Sequence, residues 1–337
     1  MKLREKVTRR MGQRSVGIRF GGMHAGTRLL AAIAAVVLAG CGGGGSSSPQ
    51  QVRLALDFTP NAVHAGIYAA LAQGLDRKEG VQLVVRAPSA STDSLTLLAT
   101  GRADLSVVDI HDLGLAREKG SDLVGVGELV THPLAAVIAR GGVSRPRELE
   151  GRRVGVTGLP SDTAVLRSVV QGDGGNYARV KTVTIGFSAV PSLIAGKVDA
   201  ATAFWNAEGV TLEQRGVKTH DFRVDDFGAP AYPELVIVTK RSTLETKRAL
   251  VEKTLAALAA GAHAALAKPD AMVDPLVKAS GADPGLMRAE LAAVRPVLSP
   301  DLKLDRAALE GWARFDQRFG ILKRRPDVSR AFDFSLT

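Results

Sequence analysis

From Gln51 onward the chain alternates short apolar runs with stretches whose apolar residues recur every three to four positions, the periods of buried strands and amphipathic helices. The first series predicts strands at 52–56, 82–85, 105–108, 123–129 and 134–139, with helices at 62–73, 95–100 and 112–119 between them. After Gly141-Gly142 a second series predicts strands at 153–157, 180–184 and 200–204 and helices at 163–171 and 189–194. A strand at 236–239 follows, then helices at 244–267, around 286–297 and at 306–319. Strands alternating with helices are the signature of an α/β fold with mostly parallel sheets.

An internal echo divides the fold. Leu97-Leu98-Ala99-Thr100-Gly101-Arg102-Ala103-Asp104 recurs about 95 residues later as Leu193-Ile194-Ala195-Gly196-Lys197-Val198-Asp199. In both copies a glycine ends a helix, a basic residue follows at the negative helix end, and an acidic residue opens the next strand. The expectation is two α/β lobes, the first from 51–140 plus 225–337 and the second from 141–224. Ligands of such sheets bind beyond the carboxyl ends of the strands, so two facing lobes define a cleft.

The 337 residues are 45% hydrophobic, 23% charged and 4% aromatic, an ordinary globular composition, with a net charge of +10. Residues 1–40 carry +7 of that charge and the remainder only +3, so nothing marks the folded part as a nucleic-acid binder. The basic leader precedes eleven apolar residues, Leu29 to Ala39, too few for a bilayer span of ~20 residues, and then Gly40-Cys41. These are the parts of a secretory signal over 1–40, and Leu38-Ala39-Gly40-Cys41 is similar to a bacterial lipobox. Cys41 is the sole cysteine and cannot form an internal disulfide, which makes it the expected lipidation site, followed by a flexible tether over 41–50. The protein is expected on the extracytoplasmic face of the cell membrane, lipid-anchored and monomeric, with the start codon at Met1 or Met23.

Catalytic and metal signatures are missing: there is no G-x-S-x-G, H-E-x-x-H or P-loop pattern, and no close His pair. The strand ends carry the candidate chemistry instead. Asp57-Phe58-Thr59-Pro60-Asn61, with His64 a turn into the next helix, offers an acceptor, a stacking face and an amide, and Asn61 is also a helix cap. In the second lobe the strand through Ala200 ends in Phe204-Trp205-Asn206-Ala207-Glu208, with aromatics, an amide and a carboxylate at the matching place. One planar polar ligand between the lobes would use both.

Asp57-Phe58-Thr59-Pro60-Asn61-x-x-His64, Gly101-x-x-Asp104, Thr131-His132-Pro133-Leu134, Gly196-Lys197-Val198-Asp199-Ala200, Asn206-x-Glu208 and Tyr232-Pro233-Glu234-Leu235 resemble a known family. It is the type II periplasmic-binding family of thiamine-pyrimidine-precursor binding proteins and the fungal thiamine pyrimidine synthase. The resemblance implies the two-lobe fold with a ligand cleft, capture of a thiamine-precursor aminopyrimidine or similar planar heterocycle, and delivery to an ABC permease and its ATPase. It implies that Phe58 stacks on the ring where the family usually has Trp and that Asn206 and Glu208 match the second-lobe positions, with Glu208 and Asp57 expected to read the ring's polar edge. Trp205 or Tyr232 would add stacking, and Tyr232 and Glu234 match the segment returning to the first lobe. The rivals are a binding protein for riboflavin or an alkanesulfonate, and a synthase-like enzyme that converts pyridoxal phosphate and a histidine to pyrimidine phosphate. Val108 or Asp109 falls where the synthase carries its lysine, with His111 close to the reacting histidine, and the synthase's cysteine motif is absent. The expected ligand-binding set is Asp57, Phe58, Asn61, His64, Asp109, Trp205, Asn206, Glu208, Tyr232 and Glu234, with no catalytic residue, metal or cofactor.

Overall fold

The alternating runs form two five-stranded sheets in a computed structural model whose described residues are 48–90 and 93–337. The expected signal, Cys41 and most of the tether lie outside them. The strands are β1 (Gln50–Ala55), β2 (Val81–Arg86), β3 (Leu105–Asp109), β4 (Leu123–Glu128), β5 (Ala135–Arg140), β6 (Arg153–Val156), β7 (Lys181–Thr184), β8 (Ala200–Phe204), β9 (Thr219–Arg223) and β10 (Leu235–Lys240). The first sheet has the order β2-β1-β3-β10-β4 and the second β7-β6-β8-β5-β9.

Three features depart from the sequence expectation. The sheets are mixed rather than mostly parallel: β10 runs antiparallel to β3 and β4, and β5 antiparallel to β8 and β9. A strand that returns directly from the other lobe enters its sheet from the opposite end, which imposes the reversed direction. Second, β5, expected in the first lobe, pairs in the second sheet, with Val137 opposite Thr202 and Phe222. Two apolar runs separated by Thr131-His132-Pro133 do not reveal that the chain changes lobes between them. Third, the edge strand β9, Thr-His-Asp-Phe-Arg, buries only Phe222 fully and has too little apolar content to show in the pattern. The lobes are therefore connected by the segments 129–134 and 224–234.

The core does not stop at the lobe boundary. One buried cluster joins Val108, Ile110 and Leu113 beside the first sheet to Val137, Val154 and Leu166 of the second lobe, together with Trp312 and Phe315 of the helix Arg306–Arg318. The longest helix, Arg241–Ala267, is long and apolar enough to cross a membrane, yet Leu250, Val251, Leu255 and Leu258 are buried in the first lobe's core. It lies against the helix Ala65–Ala72 so closely that a Cβ on Gly261 would collide with the carbonyl oxygen of Gly66. Small residues at this crossing replace side-chain interdigitation with backbone contact.

Candidate functional site

The carboxyl ends of β1, β3, β6, β7 and β8 converge on one cavity between the lobes, with about 730 Å³ of empty space, part of it open to solvent. Its polar lining is acidic: Asp57 follows β1, Asp109 ends β3, Asp112 lies in the helix Ile110–Glu118, Asp162 in the helix Pro160–Gly172, and Glu208 in the helical turn after β8. Hydroxyls of Ser94, Thr157, Ser161 and Thr202 complete it, and among the described residues no Lys, Arg or His lines the cavity.

The apolar lining is a cluster of three phenylalanines. Phe58 meets Phe187 edge-on, with ring centroids 4.6 Å apart at 80°, and meets Phe204 at 6.3 Å and 80°. A planar ring entering here finds both aromatic rings and carboxyl groups in the lining.

Local sequence explains why each acid stands where it does. Asn61 caps the short helix Ala62–His64, its Oδ1 accepting from Val63 N at 2.9 Å, while its own N–H donates to His64 Nδ1 at 3.3 Å. With Nδ1 used as an acceptor, the proton of the neutral imidazole sits on Nε2, which donates to Asp57 Oδ1 at 2.9 Å and fixes that carboxylate at the cavity wall. Asp109 caps the next helix, accepting from His111 N at 2.8 Å. Burial, reinforced by the negative charge of Glu234, pushes its carboxyl well above the usual range. Burial likewise pushes Asp112 well up, with Asp109 adding to it. Glu208 accepts from Phe204 N at 3.1 Å; burial pushes it up to about 7, opposed by the backbone hydrogen bonds and assisted by the charge of Asp57. Within the lining no cationic side chain faces these acids, although His111 behind the cavity partly offsets Asp109 and Asp112, and a cationic or donor-rich ligand relieves the arrangement.

The sequence-expected residues divide into two groups. Asp57, Phe58, Asp109 and Glu208 line the cavity. Asn61 and His64 are buried behind it and hold Asp57. Trp205, expected to stack on the ligand, instead donates from Nε1 to Pro133 O at 3.1 Å and lies under the Arg223 guanidinium, 4.2 Å from its ring centre. Tyr232 is fully buried, with its hydroxyl 3.0 Å from His111 Nε2. Glu234 Oε2 accepts from Leu134 N at 2.9 Å and Ala135 N at 3.0 Å, which ties the two lobe-crossing segments together. Asn206 is buried outside the lining, and its Oδ1 has no hydrogen-bond partner. Phe204, named as an aromatic at the second lobe's strand end, also lines the cavity, whereas Phe187, Asp112, Asp162 and the hydroxyl residues were not expected as ligand contacts.

Asp109, His111 and Glu234 bring three possible metal-ligand atoms within 4.8 Å of one another. The imidazole does not fit that role. Both ring nitrogens already have partners, Nδ1 with Asp316 Oδ1 at 2.6 Å and Nε2 with the Tyr232 hydroxyl at 3.0 Å; burial alone would lower the His111 pKa, but Asp316, with Asp109 and Glu234 nearby, pushes it up to about 10. His111 is the counter-charge for the acids behind the cavity.

The two lobes, their two connecting segments and the interlobe cavity define a periplasmic binding protein fold of type II. The alkanesulfonate-binding protein SsuA from Xanthomonas axonopodis pv. citri, solved bound to MOPS, superposes with a TM-score of 0.71 over 85% of this chain and 99% of its own, at 17% identity. Residues 61–272 match the model of the family described as NMT1/THI5 like, and the chain belongs to that family. A formylaminopyrimidine-binding protein of Halalkalibacterium halodurans is 32% identical over 58% of this chain and 60% of its own length. A Haemophilus influenzae protein named for thiamine biosynthesis is 27% identical over 59% of this chain and 64% of its own. The matched part thus spans less than two thirds of either relative. Other relatives, at 26% identity and below, are named 4-amino-5-hydroxymethyl-2-methylpyrimidine phosphate synthase.

Proposed function

We propose that this chain is the extracytoplasmic solute-binding component of an ABC importer and that it captures a thiamine-precursor aminopyrimidine between its lobes. The carrying observation is the composition of the cavity: five carboxylates, three phenylalanines and, among the described residues, no cationic side chain. An aminopyrimidine is planar, rich in N–H donors and readily protonated. A carboxylate accepts from its exocyclic amine and pairs with its protonated ring nitrogen, while Phe58 and its two neighbours take the ring. The relative named for formylaminopyrimidine binding supports this ligand class.

The same lining disfavours the rivals. An alkanesulfonate would bring a negative charge to an acidic lining that, among the described residues, offers no cationic side chain to pair with it. A synthase acting through pyridoxal phosphate needs an amine for the imine, and no lysine lines the cavity among the described residues. The protein binds rather than transforms its ligand. In this reading Cys41 carries the lipid that holds the monomer at the outer face of the membrane, where it meets the permease and its ATPase partner.

A thermal-shift panel of aminopyrimidines, riboflavin, pyridoxal phosphate and alkanesulfonates tests the proposal. Stabilisation by aminopyrimidines above all others is the expected outcome. Stabilisation by a flavin or a sulfonate with no response to any aminopyrimidine contradicts the ligand class, and no response to any small molecule contradicts the transport reading.

A further inference from the structure

The helix Pro160–Gly172 points its first turn at the cavity, where Thr157, Leu159, Ser161 and Asp162 are all part of the lining. Unused N–H groups at such a place ordinarily attract anions, because the helix dipole and the open donors act together. Here the donors of the loop leading into the helix are already taken by the chain itself. Asp162 Oδ2 accepts from Gly158 N at 2.9 Å, Leu159 N at 3.0 Å and Thr157 Oγ1 at 2.8 Å, and Oδ1 accepts from Thr202 Oγ1 of β8 at 2.7 Å. Gly158 has a φ of +98°, a left-handed conformation that turns the loop's donors back onto this one carboxylate. Asp162 is 7% exposed and Thr202 5%, so these are protected bonds to a charged group rather than surface contacts. Asp112 stands beside them, hydrogen-bonded to Ser161 and feeling the charges of both Asp109 and Asp162.

We propose that Asp162 is a specificity residue that acts as a built-in anion: by filling the donors of the loop that opens this helix and of Thr202, it keeps ligands carrying a phosphate or sulfonate group out of the cavity. The inference rests on the cavity being the ligand site and narrows the ligand class to heterocycles without an oxyanion. A phosphate or sulfonate seeking these donors must displace a carboxylate that already satisfies all four, and it then lies against Asp112 and Asp109. A neutral or cationic ligand meets neither obstacle. The discrimination resides in one side chain, so removing that side chain should relax it.

The test is calorimetric titration of the wild-type protein, Asp162→Gly and Asp162→Ser with inorganic phosphate, with MOPS and, separately, with an aminopyrimidine. Wild type is expected to show no saturable heat with phosphate or MOPS. Each variant is expected to bind at least one of them roughly tenfold or more tightly than wild type, a difference of about 1.4 kcal/mol. Ser is included because its hydroxyl can retain part of the helix start if Gly unwinds it, and cooperative melting shows which variants are folded. Saturable phosphate or MOPS binding to the wild-type cavity overturns the proposal without any variant, as do folded variants that gain no affinity for either anion. The aminopyrimidine titration separates the two readings. Gain of anion binding by the variants with no aminopyrimidine binding to wild type contradicts the proposed ligand and leaves the exclusion standing; aminopyrimidine binding to wild type with no such gain does the reverse.

Discussion

Glu208 is where binding and stability pull in opposite directions, and Glu208→Gln separates them. The carboxyl lies at the cavity with Phe204 N as its hydrogen-bond donor, and burial, with Asp57 nearby, raises it from 4.5 to about 7. Gln keeps an acceptor for Phe204 N and nearly the same volume, so the substitution removes mainly the charge. Truncating one partner of a buried charge-assisted pair costs about 2–5 kcal/mol. Since Gln remains an acceptor, the lower end applies, roughly 2 kcal/mol or about thirtyfold in Kd for an aminopyrimidine. Stability moves the other way. A carboxyl whose folded pKa lies above its unfolded value destabilises the ionised folded state, a penalty absent below about pH 4.5 and complete above about pH 7. At pH 8 that penalty is on the order of 3 kcal/mol, so the ligand-free variant should melt at a higher temperature than wild type there and at the same temperature near pH 4. The affinity ratio of wild type to variant should rise with pH up to about 7 and then level off, because below that value wild type must release the Glu208 proton to pair with the ligand. Titration of the ligand itself is common to both proteins and cancels in the ratio. The assay is calorimetric titration across pH 5 to 8.5 with melting curves in the same buffers. Equal affinity of the two proteins at every pH, or a variant that melts lower at pH 8, refutes the reasoning.

Four further outcomes follow from the same structure. Phe58→Ala should weaken aminopyrimidine binding by about 1–3 kcal/mol, by analogy with stacking on nucleobases, while Phe58→Trp keeps it, both read by titration. His111→Gln breaks a buried charged pair and should cost about 3–5 kcal/mol in urea unfolding at neutral pH. Because its folded pKa is raised from 6.5 to about 10, the wild-type contribution is complete below about pH 6.5 and is lost as pH rises through about 10, so the two proteins converge in alkali. Gly261→Val forces the helix Arg241–Ala267 away from Ala65–Ala72 and should destabilise by about 1–3 kcal/mol or more, with ligand affinity in the surviving folded fraction unchanged. Cys41→Ser should abolish fatty-acid labelling and release soluble protein that still binds ligand; equal labelling of the two forms is the contrary result.

Much of the architecture was visible in the residue pattern, because buried strands and amphipathic helices write their periods directly into the chain. Nine of the ten strands among the described residues were expected from the pattern, the exposed edge β7 among them; β9, the other polar edge of the same sheet, was not. Strand pairing was less visible. The direction of β5 and β10 depends on where the chain crosses between lobes, and the two crossings are tied by Glu234 reaching back to Leu134 and Ala135, a contact about 100 residues long in sequence. The site shows the same limit. A residue at a strand's carboxyl end lies at cavity level, which is why Asp57, Phe58 and Glu208 could be named, while Asp109 came only from the family resemblance. Which way a neighbouring side chain turns is a matter of tertiary partners: Trp205 found the Pro133 carbonyl and Tyr232 found His111. Phe187 sits in Gly186-Phe187-Ser188 and Asp162 in the opening turn of a helix, contexts that read as a loop residue and a cap until the second lobe brings them to the cavity.

The central claim is that a cavity of carboxylates and phenylalanines without a cation selects a donor-rich, oxyanion-free planar heterocycle. The most direct measurement is calorimetric titration of ligand-stripped protein with an aminopyrimidine thiamine precursor, with riboflavin and an alkanesulfonate titrated in parallel. Saturable one-to-one binding of the aminopyrimidine in the micromolar range or tighter, about −8 kcal/mol or better, is expected, with no saturable heat from the sulfonate. Tight binding of the sulfonate or the flavin with no binding of the aminopyrimidine would contradict it.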